Sequence, residues 1–324
     1  MTNESKPILV LVGPTASGKT ALSVQLASGL PTGGECISAD SMQVYQGMDI
    51  GTATPTEEER AGIPHHLLDV ADPHDTGFTV HDWLKAAETA IAEIHRRGSL
   101  PIVVGGTNLY LRGLLEGVFE GQSIPAEIRS ALEALPTEAL RQRLVKLDPV
   151  SAQRIHANDR RRTIRALEVM EATGSPISSQ QTQWADAIMQ PRRPALIVCL
   201  DWHPSELNQR INRRVGLMME QGFLEEVQRL RANGPLGRQA TEAVGYKELA
   251  GYLDGSCKLS EAIEQIKIRS RRYGKQQRTW IRRFHAIPGV FRVACSEKHD
   301  PAEVVQQIVA RLEEPSNSPG RPII

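Results

Sequence analysis

Residues 8–20 place the tightest limit on what this chain can become. Ile8-Leu9-Val10-Leu11-Val12 is an unbroken apolar run, as expected of a strand buried on both faces of a parallel sheet. Gly13-Pro14-Thr15-Ala16-Ser17-Gly18-Lys19-Thr20 follows directly and matches G-x-x-x-x-G-K-[ST] in full. In such a loop the glycines let backbone N–H groups converge on phosphate oxygens, and the start of the next helix favours negative charge. Lys19 neutralises that charge, and Thr20 can support Mg²⁺. A chance glycine turn would lack the strand before it and the helical pattern of Leu22, Val24, Leu26 and Ala27 after it. The pattern predicts a di- or triphosphate site without saying which phosphate compound fills it.

Strand, helix and glycine turn recur downstream. Cys36-Ile37-Ser38-Ala39 is a short strand with Asp40 at its carboxyl end. Residues 82–97 have helical spacing (Trp83, Leu84, Ala87, Ile91, Ile94) and stop at Gly98, and Pro101-Ile102-Val103-Val104 runs into Gly105-Gly106. This alternation predicts an α/β fold with a P-loop NTPase-like parallel sheet core. Between 123 and 191 the pattern is helical throughout, punctuated by Pro125, Pro136, Pro149 and Pro176. Strand character returns at 195–200, and helical patterns then run to about Phe284. The expected organisation is a core in two parts (1–122 and 192–312) around a helical insertion at 123–191. The tail, 313–324, is rich in Pro and Ser and is expected to be disordered.

Nothing reads a nucleobase beside the loop. There is no N-K-x-D for guanine, and Asp201, which ends the run at 195–200, is followed by Trp202-His203-Pro204, which reads as the start of a loop. A diphosphate carried by something other than a nucleoside is therefore allowed. Asp40 sits on the edge of the sheet where parallel strands bind ligands. There it serves either as a general base or as a turn cap or outer support for a metal ion, and the residues alone leave both readings open.

At this point a resemblance is carried by many motifs in order. Residues 13–20, D-S-M-Q-V-Y…D-I-G-T-A at 40–53, I-P-H-H-L-L-D at 63–69 and G-G-T-N-L-Y at 105–110 resemble the tRNA dimethylallyltransferase family. So do Arg161-Arg162-Thr163-Ile164-Arg165-Ala166-Leu167-Glu168, Val244-Gly245-Tyr246-Lys247-Glu248 and Lys275-Gln276-Gln277-Arg278-Thr279-Trp280. The likeness spans about residues 7 to 284. It departs at Asn108, where glycine is commoner, and at Ile281, where Phe is usual. Nothing after Phe284 resembles the zinc-finger extension of some eukaryotic members, which implies a bacterial-type enzyme.

The resemblance implies prenylation of adenosine 37, beside the tRNA anticodon, with dimethylallyl diphosphate as donor. Gly13, Thr15, Ala16, Ser17, Gly18, Lys19 and Thr20 then match the diphosphate loop, with Mg²⁺ as cofactor. Asp40 matches a base that takes a proton from adenine N6, and Asp40, Ser41, Met42 and Gln43 match a tRNA-contacting stretch. Thr107 matches a threonine near the reacting groups. Arg214, with Arg210 next, matches an arginine that grips the diphosphate. Arg129, Arg161, Arg162 and Arg165 match tRNA contacts on the insertion.

Charge supports this only locally. The whole chain is neutral, yet residues 1–150 hold 11 basic and 19 acidic side chains while 151–324 hold 27 and 19. Eight of the basic ones lie at 267–283, among them Arg271, Lys275 and Arg278, with Tyr273 and Trp280 interleaved and no acid. Such a run follows RNA phosphates, unless acids elsewhere pair with it. His65-His66 lacks a third metal ligand at suitable spacing, so structural roles are expected. Two other functions share the phosphate loop: a small-molecule kinase, which gives no reason for the basic clusters, and an RNA-binding nucleotide switch, which lacks a base reader. Four scattered cysteines suggest a reducing compartment. No apolar leader and no run near the ~20 residues of a membrane span is present, so a cytoplasmic protein is expected, and the family implies a monomer.

Overall fold

The computed structural model of the 324-residue chain describes residues 6–75, 77–118, 124–180, 189, 191–297 and 300–313. Strand β1 (Ile8–Val12) is buried along its whole length and passes through the phosphate loop into α1 (Lys19–Gly29). There follow β2 (Gly34–Ala39), α2 (Glu57–Arg60), a two-residue β3 (His65–His66), α3 (Val80–Arg97), β4 (Leu100–Gly105) and α4 (Asn108–Glu116). Thr79 and Asp82 form a capping box at the start of α3, and Gly98 ends it. Next come α5 (Ala126–Glu133), α6 (Thr137–Leu147), α7 (Pro149–Arg154), α8 (Arg160–Thr173) and α9 (Ile177–Gln180). The chain returns through β5 (Ala195–Trp202), α10 (Pro204–Glu220), α11 (Phe223–Ala232), α12 (Arg238–Thr241), α13 (Tyr246–Leu253) and α14 (Leu259–Phe284). It closes with β6 (Phe291–Cys295) and α15 (Pro301–Glu313).

All six strands pair in parallel in the order β3-β2-β4-β1-β5-β6. Val10 lies between Val103 of β4 and Ile197 of β5. Period-two geometry divides β1 between two cores. Ile8, Val10 and Val12 join the larger one with Trp83, Ile91, Phe223 and Tyr246, whereas Leu9 and Leu11 join Leu22, Leu26, Val304 and Ile308 on the other. That double burial is why the run is apolar throughout. The expected α/β parallel sheet is thus present, and β1, β2 and β4 all end on one edge.

The chain divides into two compact units, one of residues 1–115 and 188–324, the other Glu116–Ala187, where the sequence pattern placed its helical segment at 123–191. The described part of the second unit is helical, around Leu132, Leu140, Leu144, Ile164 and Leu167. Residue 313 closes α15, and the tail expected to be disordered otherwise lies outside the described residues. Two further readings change. Trp202, taken as the start of a loop, is the last residue of β5, and beyond the helices ending at Phe284 the chain adds β6 to the sheet and α15 to the core beside it.

Candidate active site

The loop after β1 is shaped by its backbone. Gly18 has φ 88°, a left-handed conformation that suits glycine, and directly precedes α1. Ser17 is buried, and its Oγ has no hydrogen-bond partner among the described residues. A buried, unpaired hydroxyl in an anion loop is a donor held ready for a ligand oxygen. Lys19 Nζ donates to the Pro14 carbonyl at 2.9 Å, and Trp202 Nε1 donates to that of Ser17 at 3.1 Å. A cavity of about 450 Å³ opens here, lined by 16–21 together with Glu59, Arg210, Arg213, Arg214 and Leu217.

The arginines of α10 differ in what holds them. Arg210 lies over the Trp202 ring at 4.4 Å and donates to the Ala16 carbonyl at 2.8 Å, so it braces the loop as well as facing the cavity. Arg213 also reaches Glu297 at 3.2 Å. Arg214 donates to the Thr52 carbonyl at 3.4 Å. Burial pulls the Lys19 pKa down to about 8, with Asp40 opposing and Arg214 reinforcing that fall. Burial likewise lowers the pKa of Arg214, against the pull of Asp40 and Glu59. Two partly desolvated cations, with Arg210 and Arg213, therefore face a cavity that has Glu59 in its lining and Asp40 nearby, so cations outnumber carboxylates and the cavity suits an anion.

Asp40 follows β2 directly, and its Oδ1 accepts from Met42 N at 2.9 Å, forming a local turn. Thr107, just past β4, accepts from Ser41 N at 3.1 Å, while its own N–H donates to the Ala39 carbonyl at 3.2 Å. The ends of β2 and β4 are thereby tied together at Asp40. Helix α14 closes the group. Gln277, 4 % exposed, accepts from Thr15 N at 2.7 Å and donates to the Gly106 carbonyl at 3.2 Å. One turn earlier, Tyr273 shares hydrogen bonds with Thr107 and Gln277, and burial, then Asp40, holds its phenol protonated. Gln43 Nε2 donates to the Thr52 and Ala53 carbonyls at 3.3 and 3.0 Å.

The basic run on α14 is divided. Arg271 donates to Asn212 at 2.6 Å and reaches Glu264 at 3.6 Å. Arg269 meets Glu248 at 2.8 Å and Lys267 meets Glu264 at 3.7 Å. Arg272, Lys275, Arg278, Arg282 and Arg283 make no ion pair among the described residues, and Arg283 lies over Trp280 at 4.4 Å. The Arg278 Nε is buried without a hydrogen-bond partner, and burial, then Arg282, lowers its pKa. In the second unit, Arg129 reaches Glu133 and the buried Glu168 at 3.1 and 3.3 Å. Arg165 reaches Glu168 at 3.5 Å and Arg162 reaches Asp159 at 3.4 Å, while Arg161 is exposed.

With this geometry in place, known proteins give a consistent answer. The model of the IPP transferase family matches residues 43–284. A tRNA dimethylallyltransferase of Shouchella clausii is 48% identical over 87% of this chain and 89% of its own, and that of Bacillus subtilis is 42% identical over 87% and 90%. The crystal structure of the full-length tRNA isopentenylpyrophosphate transferase of Bacillus halodurans is 40% identical and covers 96% of this chain and 97% of its own, with a TM-score of 0.67. A eukaryotic dimethylallyltransferase acting on tRNA is 30% identical over 98% and 82%, with a TM-score of 0.80. The chain belongs to the IPP transferase family. It is an enzyme of the prenyltransferase kind.

Within that family fold, the structure brings Asp40, Thr107 and residues 13–20 to one edge of the sheet, with Arg214 beside the loop. Sequence reasoning named Tyr273 only as an aromatic interleaved in the basic run and Gln277 only within the motif at 275–280, and gave neither a place in the site. Both lie on the basic run, and their spacing of four places them on one helix face, a signal hidden by the attention drawn to the arginines. His66 binds Glu35 at 2.7 Å and His65 binds the Ile63 carbonyl at 2.9 Å, as structural roles require. Among the described residues no group of three His, Cys, Asp or Glu side chains is arranged for a metal. Asp201 is held by Arg292 at 2.9 Å and by His285 at 3.1 Å.

Proposed function

We propose that the protein transfers a dimethylallyl group from dimethylallyl diphosphate to N6 of adenosine 37 of tRNA, releasing diphosphate. The observation that carries this reading is that Asp40 and Thr107 stand on the same sheet edge as the phosphate loop, with the charge of Asp40 felt by the cavity's Lys19 and Arg214. As the bond between the allylic carbon and its diphosphate oxygen breaks, charge grows on that oxygen. Backbone N–H groups of the loop, Lys19 and Arg214 are the donors positioned to stabilise it. The carbon then bonds to N6, and Asp40 takes the proton that N6 loses. Thr107 holds the backbone beside Asp40 and stands near the reacting groups.

Mg²⁺ fits this site as an ion bound mainly through the donor. Thr20 lines the cavity, and its hydroxyl would hold the ion beside the donor's diphosphate. When bound, it would neutralise diphosphate oxygens. The adenosine must leave the anticodon-loop stack to reach Asp40, and single-stranded loops are the usual targets of sequence-specific RNA recognition. Arg129, Arg161, Arg162 and Arg165 in the second unit, with Ser41, Met42, Gln43, Arg271, Lys275 and Arg278, are assigned to tRNA. A monomer in the cytoplasm accords with this role; among the described residues no helix is long and apolar enough to cross a membrane.

The test is incubation with unmodified tRNA, Mg²⁺ and dimethylallyl diphosphate. Prenylated adenosine at position 37 and released pyrophosphate are expected. Turnover of ATP to ADP with no prenyl product would overturn the proposal in favour of a kinase.

A further inference from the structure

Glu226 is the most heavily bonded buried acid beside the site that the proposed chemistry does not use. It lies in α11, is 1 % exposed, and accepts four hydrogen bonds. Its Oε2 takes the N–H groups of Asp49 and Ile50 at 3.0 and 2.8 Å. Its Oε1 takes Gly51 N at 3.1 Å and the Tyr246 hydroxyl at 2.6 Å. A carboxylate with both oxygens doubly satisfied in the interior is a rigid anchor, because each N–H it releases would be left unpaired. Gly51 is needed for the approach: a Cβ there would come within 2.2 Å of Phe223 and 2.6 Å of Tyr246. Those two rings pack edge to face at 5.0 Å.

What the anchor holds is the segment D-I-G-T-A, whose role is otherwise unexplained, as is that of V-G-Y-K-E around Tyr246. The next two carbonyls of the segment bind functional side chains. Thr52 O accepts from Arg214 Nη2 and Gln43 Nε2, and Ala53 O accepts from Gln43 as well. Gln43 in turn accepts from Ser38 Oγ at 2.8 Å, on β2. We propose that Glu226, locked by Tyr246, is a positioning residue that fixes residues 49–53 and through the Thr52 carbonyl sets the guanidinium of Arg214 for the diphosphate. The inference rests on the reading of Arg214 given above.

Binding of inorganic pyrophosphate with Mg²⁺, measured by calorimetry, tests it without requiring turnover. Glu226→Gln keeps the volume but replaces two acceptor sites with an N–H₂ group facing backbone donors. It should weaken pyrophosphate binding about ten-fold, and Tyr246→Phe about three-fold, within the range expected for lost hydrogen bonds. In an Arg214→Lys background, where the side chain cannot make the same bond to Thr52, both effects should fall below about two-fold. Equal losses in the two backgrounds, or none in either, would overturn the inference. Should Glu226→Gln fail to fold, Tyr246→Phe, which keeps its ring against Phe223, decides alone. Coupling without any prenyl transfer by the unmodified protein would leave Glu226 in place and remove the transferase reading; prenyl transfer without coupling would do the reverse.

Discussion

The phosphate loop and the basic run of α14 are both positively charged, but they earn their charge differently. At the loop two cations are desolvated and face one cavity: Lys19 and, from α10, Arg214 each feel Asp40, and Arg214 acts on Lys19. On α14 eight cations lie in sequence, and the first three, Lys267, Arg269 and Arg271, are spent on Glu248, Glu264 and Asn212. A stretch without acids is therefore not a stretch without partners, since Glu264 sits one turn upstream on the same helix and Glu248 on α13. Backbone geometry encoded the first region, so a short motif reports it faithfully. Side-chain neighbours decide the second, and counting charges overstates it.

The sharpest way to break the comparison is at Asp40, which acts on Lys19 and Arg214 at the loop and, on α14, on Tyr273 rather than on the basic run. Asp40→Asn keeps an oxygen for Met42 N but cannot take a proton, so transfer should fall by about 10²–10⁴-fold in single-turnover assays. tRNA affinity should change by less than about two-fold, because the cations on α14 are untouched. An equal collapse of affinity would mean that Asp40 serves RNA binding and that the two regions are not separate.

Next in size is Lys19. Removing it as Lys19→Ala takes away one donor to the developing charge, a loss of about 10²-fold in kcat or in kcat/KM for the prenyl donor. Its pKa of about 8 adds a pH signature. Relative to the unfolded chain, where it titrates near 10.5, the folded protein binds fewer protons between those values. Carrying this charge at neutral pH thus costs stability, and stability rises as pH climbs from about 8 towards 10.5. Anion binding reverses that penalty. Pyrophosphate affinity should therefore drop as pH passes about 8, and Lys19→Arg, whose charge persists, should flatten the drop; identical profiles for the two proteins would take Lys19 out of the site.

Much of this molecule was legible before its structure. Ile8–Val12, the loop after it and Asp40 at the end of β2 are local signals, each set by a strand or turn that needs those residue types. Strand β6 escaped because it is short: Phe291, Val293 and Cys295 turn inward and alternate with exposed Arg292 and Ala294, but only Val293 is fully buried, and five residues with a small Ala outside give a weak period-two pattern. Tyr273 and Gln277 escaped for a different reason. Their hydrogen bonds reach Thr107, Thr15 and Gly106, more than 160 residues away, and a sequence names a helix face without naming what it meets. Glu226 reads as an ordinary acid near the start of an amphipathic helix until the backbone of residues 49–51 is brought onto it.

The smallest expected effect separates cations within α14 itself. Arg278 has no ion pair among the described residues and a buried, unpartnered Nε, whereas Arg271 is shared between Asn212 and Glu264. If tRNA phosphates follow this helix, Arg278→Ala should weaken tRNA binding by about five-fold and lower the slope of log affinity against log salt by about one. Arg271→Ala should cost about two-fold with little change in slope, because that guanidinium already carries a partner and releases fewer counterions on binding. Filter binding of unmodified tRNA across a salt series measures both quantities. Equal slopes for the two variants would mean that intrachain pairing does not decide which cations meet RNA, and the contrast between a convergent cavity and a divided helix would no longer explain how charge is used here.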